Sequence, residues 1–527
     1  MMLTLTSDMK MATSRTARMR QRRGSGTSST SGELRVTASR RCCPMLTTPG
    51  ARRPAPSAAV VVVVVGAWAI VTFSPRRIGH RAARSAWLVW LVGAGAYFLA
   101  YLHRASLGVA GPTAVERLDI SATELGSFVM VQLGLYALMQ VPAGVAIDRW
   151  GARKVLLAST LVMGAAQLLF AFATSFPVAL AARALLGVGD AAVFIAVLRL
   201  AAMWFPHRRY AVLTSLTGLV GMLGNLVATV PLVLALDALG WTRTFALTAV
   251  ASLGYALLLL RPTVAAPFRQ LAPVEPDGSP ARRPALRGIG ATWGRRETRL
   301  GFWTHQATMA PGVVVALVWG YPYLTEALGY PDARAASLLS LYVLATVAFS
   351  FLVGPLAGRR PTWRAPMAVG ISLAGVLAVA LLVLWPGGRP PSAVVTAVFV
   401  VFAIGGPGSQ IGFHIARDYN PAARISTATG LVNAGGFAGA MVAAVAVGMV
   451  LDARSGSAAP SLLDYRWAVS VIGVIAVVST LAMVLTLLGV RADVRDRMDR
   501  EEPVVVPVTE RWWDRAYRRL ARRPRLA

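Results

Sequence analysis

Twelve apolar stretches, each long enough to cross a bilayer, run between Ala86 and Val490, and arginine gathers in every second loop between them. A hydrocarbon core about 30 Å thick takes roughly 20 helical residues, and in lipid every backbone N–H and C=O must find its partner inside the protein. A chain with this pattern folds as an all-α membrane protein. The composition agrees: 56% of the residues are hydrophobic, 14% are charged and the mean hydropathy is +0.58, which a soluble domain has no means to cover.

The formal charge of +30 raises the question of nucleic acid. Most arginines sit in short loops beside apolar segments, where membrane orientation explains them, and no aromatic residues are interleaved with the basic N-terminal stretch for base stacking. No nucleic-acid partner is expected. The two cysteines, Cys42 and Cys43, are adjacent and outside the apolar region, so they neither staple the fold nor complete a zinc site. No HExxH, GxSxG or P-loop pattern occurs. The chain offers no catalytic constellation, and neither an enzymatic activity nor a cofactor or metal is expected.

Residues 1–57 carry eleven basic residues against Asp8 and Glu33 without helical or strand periodicity, and read as a disordered basic tail. Met11, Met19 and Met45 are internal alternatives for the start. Residues 58–73 form an apolar run too short for a comfortable span and are followed by Arg76, Arg77, Arg81 and Arg84; 58–85 reads as a peripheral or signal-like segment with a basic flank. The twelve helices are placed at 86–110, 121–146, 152–174, 177–204, 209–236, 243–261, 299–328, 333–358, 364–386, 391–416, 423–451 and 466–490. Residues 148–154, 206–210, 262–299, 358–364 and 416–424, with the basic end 491–527, hold most of the arginine and mark the cytoplasmic side. Both termini are then cytoplasmic, in a cell (inner or plasma) membrane.

Segment 262–298, with Pro, Gly and charge and no apolar periodicity, reads as a cytoplasmic linker. It divides the chain into six-helix bundles at 86–261 and 299–490. A repeat supports the division: Thr217-Gly218-Leu219-Val220, followed by Gly221 and Gly224, returns 212 residues later as Thr429-Gly430-Leu431-Val432, followed by Gly435 and Gly436. Two parallel halves around a central cavity are a transporter arrangement.

GVAIDRWGARK (144–154) joins the second and third helices. It resembles the loop signature of the major facilitator superfamily at Gly144, Asp148, Arg149, Gly151, Arg153 and Lys154. The glycines permit a tight turn and close helix contact, and Asp148 suits a helix N-terminal dipole, so these six residues form a candidate conformational latch. An ordinary basic loop is the alternative. The second half has a worn copy at Gly354, Gly358, Arg359 and Arg360, with no aspartate.

The fourth helix carries Arg183, Gly187 and Asp190 at spacings that share one face. An ionisable group at mid-bilayer is costly and by default functional; a structural Arg183–Asp190 pair is the competing reading. Arg199 is expected to snorkel at the cytoplasmic end. The first helix carries Tyr97, Tyr101, His103 and Arg104. An arginine screened from bulk water offers a planar set of donors to an anion, and interfacial snorkelling is the alternative. Tyr-x-x-Arg on the first helix, RxxxGxxDA on the fourth, MWFPHRR (203–209) and Gly240-Trp241 resemble the anion:cation symporter branch of the superfamily over most of 97–245. That branch carries organic acids such as sugar acids with protons or sodium. It usually has an acid where His103 stands and Glu where Asp190 stands.

In the second half, Trp319, Tyr321 and Tyr323 flank Pro322 in a helix the proline weakens, Gln410 follows the glycine-rich GGPG turn, and Asn433 lies in the eleventh helix. With Tyr101, His103 and Arg104 they are the candidate substrate contacts, although an aromatic interfacial belt and helix-to-helix hydrogen bonds compete. His305 and His414 are expected near helix ends. The resulting expectation is a multi-pass secondary transporter that imports a small organic anion: Arg104 pairs with its charge, Asp190 takes and releases a proton, and Arg183 tunes Asp190. A drug:proton antiporter is the alternative, though GLVGMLGN (218–225) lacks the Gly-Pro pair typical of that group. A transporter-like membrane sensor or scaffold is a further one.

Overall fold

The computed structural model describes residues 80–261, 287–456, 459–511 and 513–515, all helices and connecting turns. The tail 1–57, the segment 58–79, residues 262–286 of the linker and residues 516–527 lie outside the described residues. The helices follow the apolar stretches: α1 His80–Leu118, α2 Ala122–Trp150, α3 Ala152–Phe172, α4 Phe176–Trp204, α5 His207–Val227 and α6 Val230–Leu259. The second half has α7 from Arg296, α8 Asp332–Arg359, α9 Arg364–Leu384, α10 Ser392–Tyr419, α11 Ile425–Ser455 and α12 Leu462–Asp499. A short helix, Arg287–Trp293, falls in the stretch expected to be linker.

Among the described residues eleven of these helices are long and apolar enough to cross a membrane by themselves. The exception is α7. Its first part, Arg296–Val314, carries Arg296, Glu297, Arg299, His305, Gln306 and several threonines, which dilute its hydropathy. It continues through two π-helical turns, Val315–Trp319 and Tyr323–Ala327, around Gly320–Pro322. Pro322 lacks the N–H that a regular turn would use, and the wider turns accommodate the loss. α4 is also interrupted, between Asp190 and Val193, and Gly240, at φ +72°, kinks α6 in a conformation open to glycine.

The loops without arginine hold two capping boxes, Ser121 with Glu124 at the start of α2 and Ser461 with Asp464 at the start of α12. Each satisfies backbone donors that the bilayer edge would otherwise leave open. Large side chains such as Leu138 and Leu384, more than 70% exposed, face the lipid in place of a core.

The internal repeat appears as equivalent packing. In the first half Gly221 and Gly224 of α5 receive Tyr97, Tyr101 and the Phe98 carbonyl of α1. In the second, Gly435 and Gly436 of α11 receive Phe302 and His305 of α7. Within lipid the close approach of backbones, rather than burial from water, holds helices together, and small residues permit it. The halves meet along two seams, α2 against α11 and α5 against α8.

Candidate functional site

Every fourth residue of α2 from Gln132 on is polar or glycine: Gln132, Tyr136, Gln140, Gly144 and Asp148. At 3.6 residues per turn each step of four advances the row by about 40°, so it winds slowly along α2 as a ridge. Its lower four members all meet α11: Phe437 lies against Tyr136, Asn433 bonds to Gln140, Gly144 lies against the Ser426 carbonyl, and Asp148 binds Ser426 and Thr427.

At the middle of this row sits the centre of the site. Arg104 of α1 donates from Nε to Asp190 Oδ2 at 2.8 Å and from Nη2 to Oδ1 at 2.9 Å, a two-pronged pair with side-chain exposures of 14% and 1%. The guanidinium lies between two rings, 4.5 Å from the Tyr101 centroid and 4.4 Å from that of Tyr136. Tyr97 closes the aromatic wall 5.0 Å from Tyr101 and 5.1 Å from Phe194. Asn433 donates from Nδ2 to Gln140 Oε1 at 2.6 Å and to the Tyr136 hydroxyl at 3.3 Å, so one chain of contacts runs from α4 through α1 and α2 to the second half. Buried guanidinium and carboxylate groups of this kind are tolerated when both prongs are satisfied and cation–π contact adds to the pairing.

Arg104 is thus a partly buried partner of Asp190 on α4, not a snorkelling residue. Arg183 is not the mate of Asp190: seven residues away on the same helix, roughly 10 Å along the axis, it rests 5.0 Å over the Phe170 ring. None of its three side-chain nitrogens has a hydrogen-bond partner among the described residues. His103, next to Arg104 but about 100° around the helix, points elsewhere, with Nε2 2.6 Å from Ser252 Oγ of α6.

The second-half candidates are dispersed. Trp319 donates from Nε1 to the Ala444 carbonyl at 2.9 Å. Tyr321 is 41% exposed and donates to Asp332 Oδ1 at 2.9 Å. Tyr323 is buried, its ring edge toward Tyr465 and its hydroxyl without a partner among the described residues. Gln410 keeps a buried, unpartnered Oε1. Of the five, Asn433 alone is bonded to the residues around Arg104. His305 and His414 are both buried between helices; His414, in the last turns of α10 before Tyr419, packs 5.8 Å from the Tyr210 ring of the first half.

At the arginine-rich end, Asp148 Oδ1 accepts from the Ser426 N–H at 3.1 Å, and Oδ2 accepts from the Thr427 N–H and hydroxyl at 2.7 Å each. The carboxylate therefore caps the N-terminus of α11 from the opposite half, where free N–H groups and the helix dipole favour an anion. Gly151, at φ +88°, makes the turn that follows. Arg153 donates to the Leu260 carbonyl at 2.8 Å, while Arg149 and Lys154 are exposed. Arg199 extends to the arginine-rich end, where its Nη1 donates across the halves to the Ala422 carbonyl at 2.5 Å. Arg417 of α10 reaches back to the Ala202 and Phe205 carbonyls at the end of α4. The worn second copy keeps the close approach, Gly354 against Ser215 and Gly358 against the Arg208 carbonyl, without a carboxylate. Among the described residues, the hydrogen bonds joining the halves lie at this end and at the level of Asn433.

Tyr136, Gln140 and Arg417 were not singled out from sequence. The four-residue row in α2 is a signal that would have found the first two; Arg417, in a basic stretch near a helix end, carries none.

The Arg104–Asp190 pair thus joins two helices of one half and touches Tyr136, which accepts from Asn433 of the other half, and at the arginine-rich end a carboxylate of the first half caps a helix of the second. The chain belongs to the Major Facilitator Superfamily, whose sequence profile it matches over residues 93–414 and 312–527. Among individual relatives it is 26% identical over 274 residues to the "Probable sulfoacetate transporter" of Cupriavidus necator, which is 50% of this chain and 63% of that one. It is 31% identical over 166 residues to the galacturonate transporter of Dickeya chrysanthemi, covering 31% and 47%. With the hexuronate transporter of Bacillus subtilis it shares 29% identity over 159 residues, 30% and 37% of the two chains. The matches span less than two thirds of these relatives. Among solved structures, the proton:xylose symporter XylE bound to 6-bromo-6-deoxy-D-glucose superposes with a TM-score of 0.59 at 15% identity, over 76% of this chain and 95% of that one. The transporter FucP, in the outward conformation, superposes at 0.56 and 14% identity, over 75% and 99%. Both place the twelve helices in the two-bundle fold of the superfamily.

Proposed function

We propose that this protein is a secondary active transporter that imports a small organic anion together with a proton by alternating access of its two halves. The observation that carries the reading is the two-pronged Arg104–Asp190 pair. A carboxylate bonded to Nε and Nη2 neutralises the guanidinium and holds it toward α4, so a second anion gains little charge attraction there. Protonation of Asp190 weakens the pair and frees the Nε and Nη2 donors of Arg104, and an organic anion pairs with the guanidinium in place of the Asp190 carboxylate. Proton and substrate are then bound together because one residue serves both. Gln140 and Asn433 are poised to contact the polar remainder of the substrate. Arg183 acts on Asp190 through its field along the helix rather than by contact. Relatives named for sulfoacetate, galacturonate and hexuronate, all acids, support the substrate class.

Asp148, with Gly144 and Gly151, is the latch: it holds the arginine-rich end shut while the opposite end admits substrate. The arginine-rich loops make that end cytoplasmic by the positive-inside rule, with both termini on that side of a cell membrane.

The test has two parts. Purified protein is screened by thermal shift against organic acids, neutral sugars and cationic drugs, with Arg104→Ala in parallel. Stabilisation by acids that Arg104→Ala abolishes supports the reading; stabilisation by cationic drugs alone points to a drug:proton antiporter. Proteoliposomes then measure uptake of the best acid. Asp190→Asn should abolish uptake driven by a pH gradient and keep counterflow exchange, and full pH-driven uptake by that variant would remove the coupling role.

A further inference from the structure

The arginine-rich end of the second half holds a pocket of about 660 Å³ that transport does not use. It lies among the starts of α7 and α9 and the ends of α10 and α12, and residues 506–509, Arg511 and Trp513 of the C-terminal segment line it. Its floor is apolar, formed by Leu300, Val369, Ile415, Leu487, Leu488 and Val490. Its rim is basic: Arg364, Arg491 and Arg511. Two of the three are neutralised, Arg364 by Asp418 and Arg491 by Asp514. The Arg511 guanidinium stacks 5.0 Å over Trp513 and pairs with no carboxylate among the described residues, while the Arg511 N–H donates to Asp514 Oδ2 at 2.9 Å. The rim therefore carries one uncompensated positive charge.

The cover is built, not incidental. Val504 and Val508 pack on the cluster that contains Met483, Val490 and Val494, and Arg491 anchors the strap with two bonds to Asp514 and one to the Thr509 carbonyl. The pocket opens sideways. Pro366 and Gly370 are exposed on α9, and the same faces run on toward the bilayer centre as Leu373 and Leu377 on α9 and Leu481 and Leu485 on α12, each more than half exposed. An occupant reaching the pocket along this groove comes from lipid, and its head ends at the water interface among arginines.

We propose that the pocket binds an anionic phospholipid, an acyl chain lying in the groove between α9 and α12 and the phosphate against Arg511 and Arg491. The volume falls within the roughly 300–1,000 Å³ of ordinary ligand pockets. One net charge matches one phosphodiester, and basic pockets between helices on the cytoplasmic side select anionic headgroups over zwitterionic ones. The bound lipid would seat the C-terminal strap.

The test uses the full chain, delipidated in detergent, with phosphatidylglycerol, phosphatidylcholine, oleate and inorganic phosphate as separate probes. Thermal shift reports stabilisation and native mass spectrometry reports retained lipid. Phosphatidylglycerol should raise Tm and be retained, and the other three should not. Arg511→Gln should weaken retention roughly fivefold, the loss expected for one basic residue near an anionic surface. Gly370→Trp, at a position where an added side chain meets nothing within 4 Å, should fill the groove and abolish the shift. If that variant does not fold, Arg511→Gln decides alone. Equal effects of the two phospholipids, an undiminished shift in Gly370→Trp or undiminished retention in Arg511→Gln would overturn the proposal. So would reproduction of the shift by oleate or phosphate, each naming a different occupant.

Discussion

Arg104 and Asp190 are each exceptional as residues, since an ionisable side chain at bilayer depth is costly and rarely kept without a task. That much is legible in the sequence, because rarity needs only the apolar background. Their pairing is not. Spacing within one helix is set by its period, which offers Arg183 as a competing mate for Asp190, but contact between helices depends on how α1 and α4 pack. The pairing makes a stability prediction. Arg104→Ala leaves a buried carboxylate uncompensated and should cost roughly 3 kcal/mol, and adding Asp190→Asn should recover most of the loss. Thermal melts of the two single variants and the double variant measure this, and a double variant no more stable than Arg104→Ala contradicts it. Arg183 presents the opposite case. With no hydrogen-bond partner among the described residues, Arg183→Met should leave the melt unchanged or raise it and should shift the pH profile of uptake; an unshifted profile would remove Arg183 from the coupling.

At the scale of elements, helix existence was legible and helix detail was not. Apolar length located the spans, yet α1 runs to Leu118 and α12 to Asp499, well past their apolar stretches, because a helix continues into water where hydrogen bonds and charges sustain it. The irregular turns of α7 follow from Pro322, which was visible, but the π geometry comes from neighbours that a sequence does not display. The row of five in α2 is visible in the sequence as a four-residue spacing, but its meaning comes from α11, which packs against it. Gly144 carries the element-scale prediction. A side chain at this position strikes the Ser426 carbonyl, so Gly144→Leu should hold α2 and α11 apart at the arginine-rich end. A cysteine introduced at Ser426 should then be modified by an impermeant thiol reagent several-fold faster than in the otherwise unchanged protein; an unaltered rate would show that the contact does not seal that end.

For the whole molecule, the repeated Thr-Gly-Leu-Val segments were enough to reveal two halves, since the same glycine face packs against the first helix of each. The asymmetry between the halves was legible too, in the missing aspartate of the second copy. What the sequence could not display is which seam carries which bond, and so the network that reaches from Asp190 to Asn433. The latch prediction belongs at this scale. Asp148→Ala removes three hydrogen bonds between the halves and should shift the population toward the state open at the arginine-rich end, read as a changed distance distribution between spin labels on the loops of the two halves. Unchanged distances would assign Asp148 to the fold of its own loop.

The central claim is that one anion and one proton bind together because Asp190 must release Arg104. Calorimetry of the tightest-binding organic acid in buffers of different ionisation enthalpy counts protons directly. The account predicts uptake of close to one proton for each anion bound by the unchanged protein and none by Asp190→Asn; anion binding by the unchanged protein without proton uptake, at a pH where Asp190 is ionised, would contradict it.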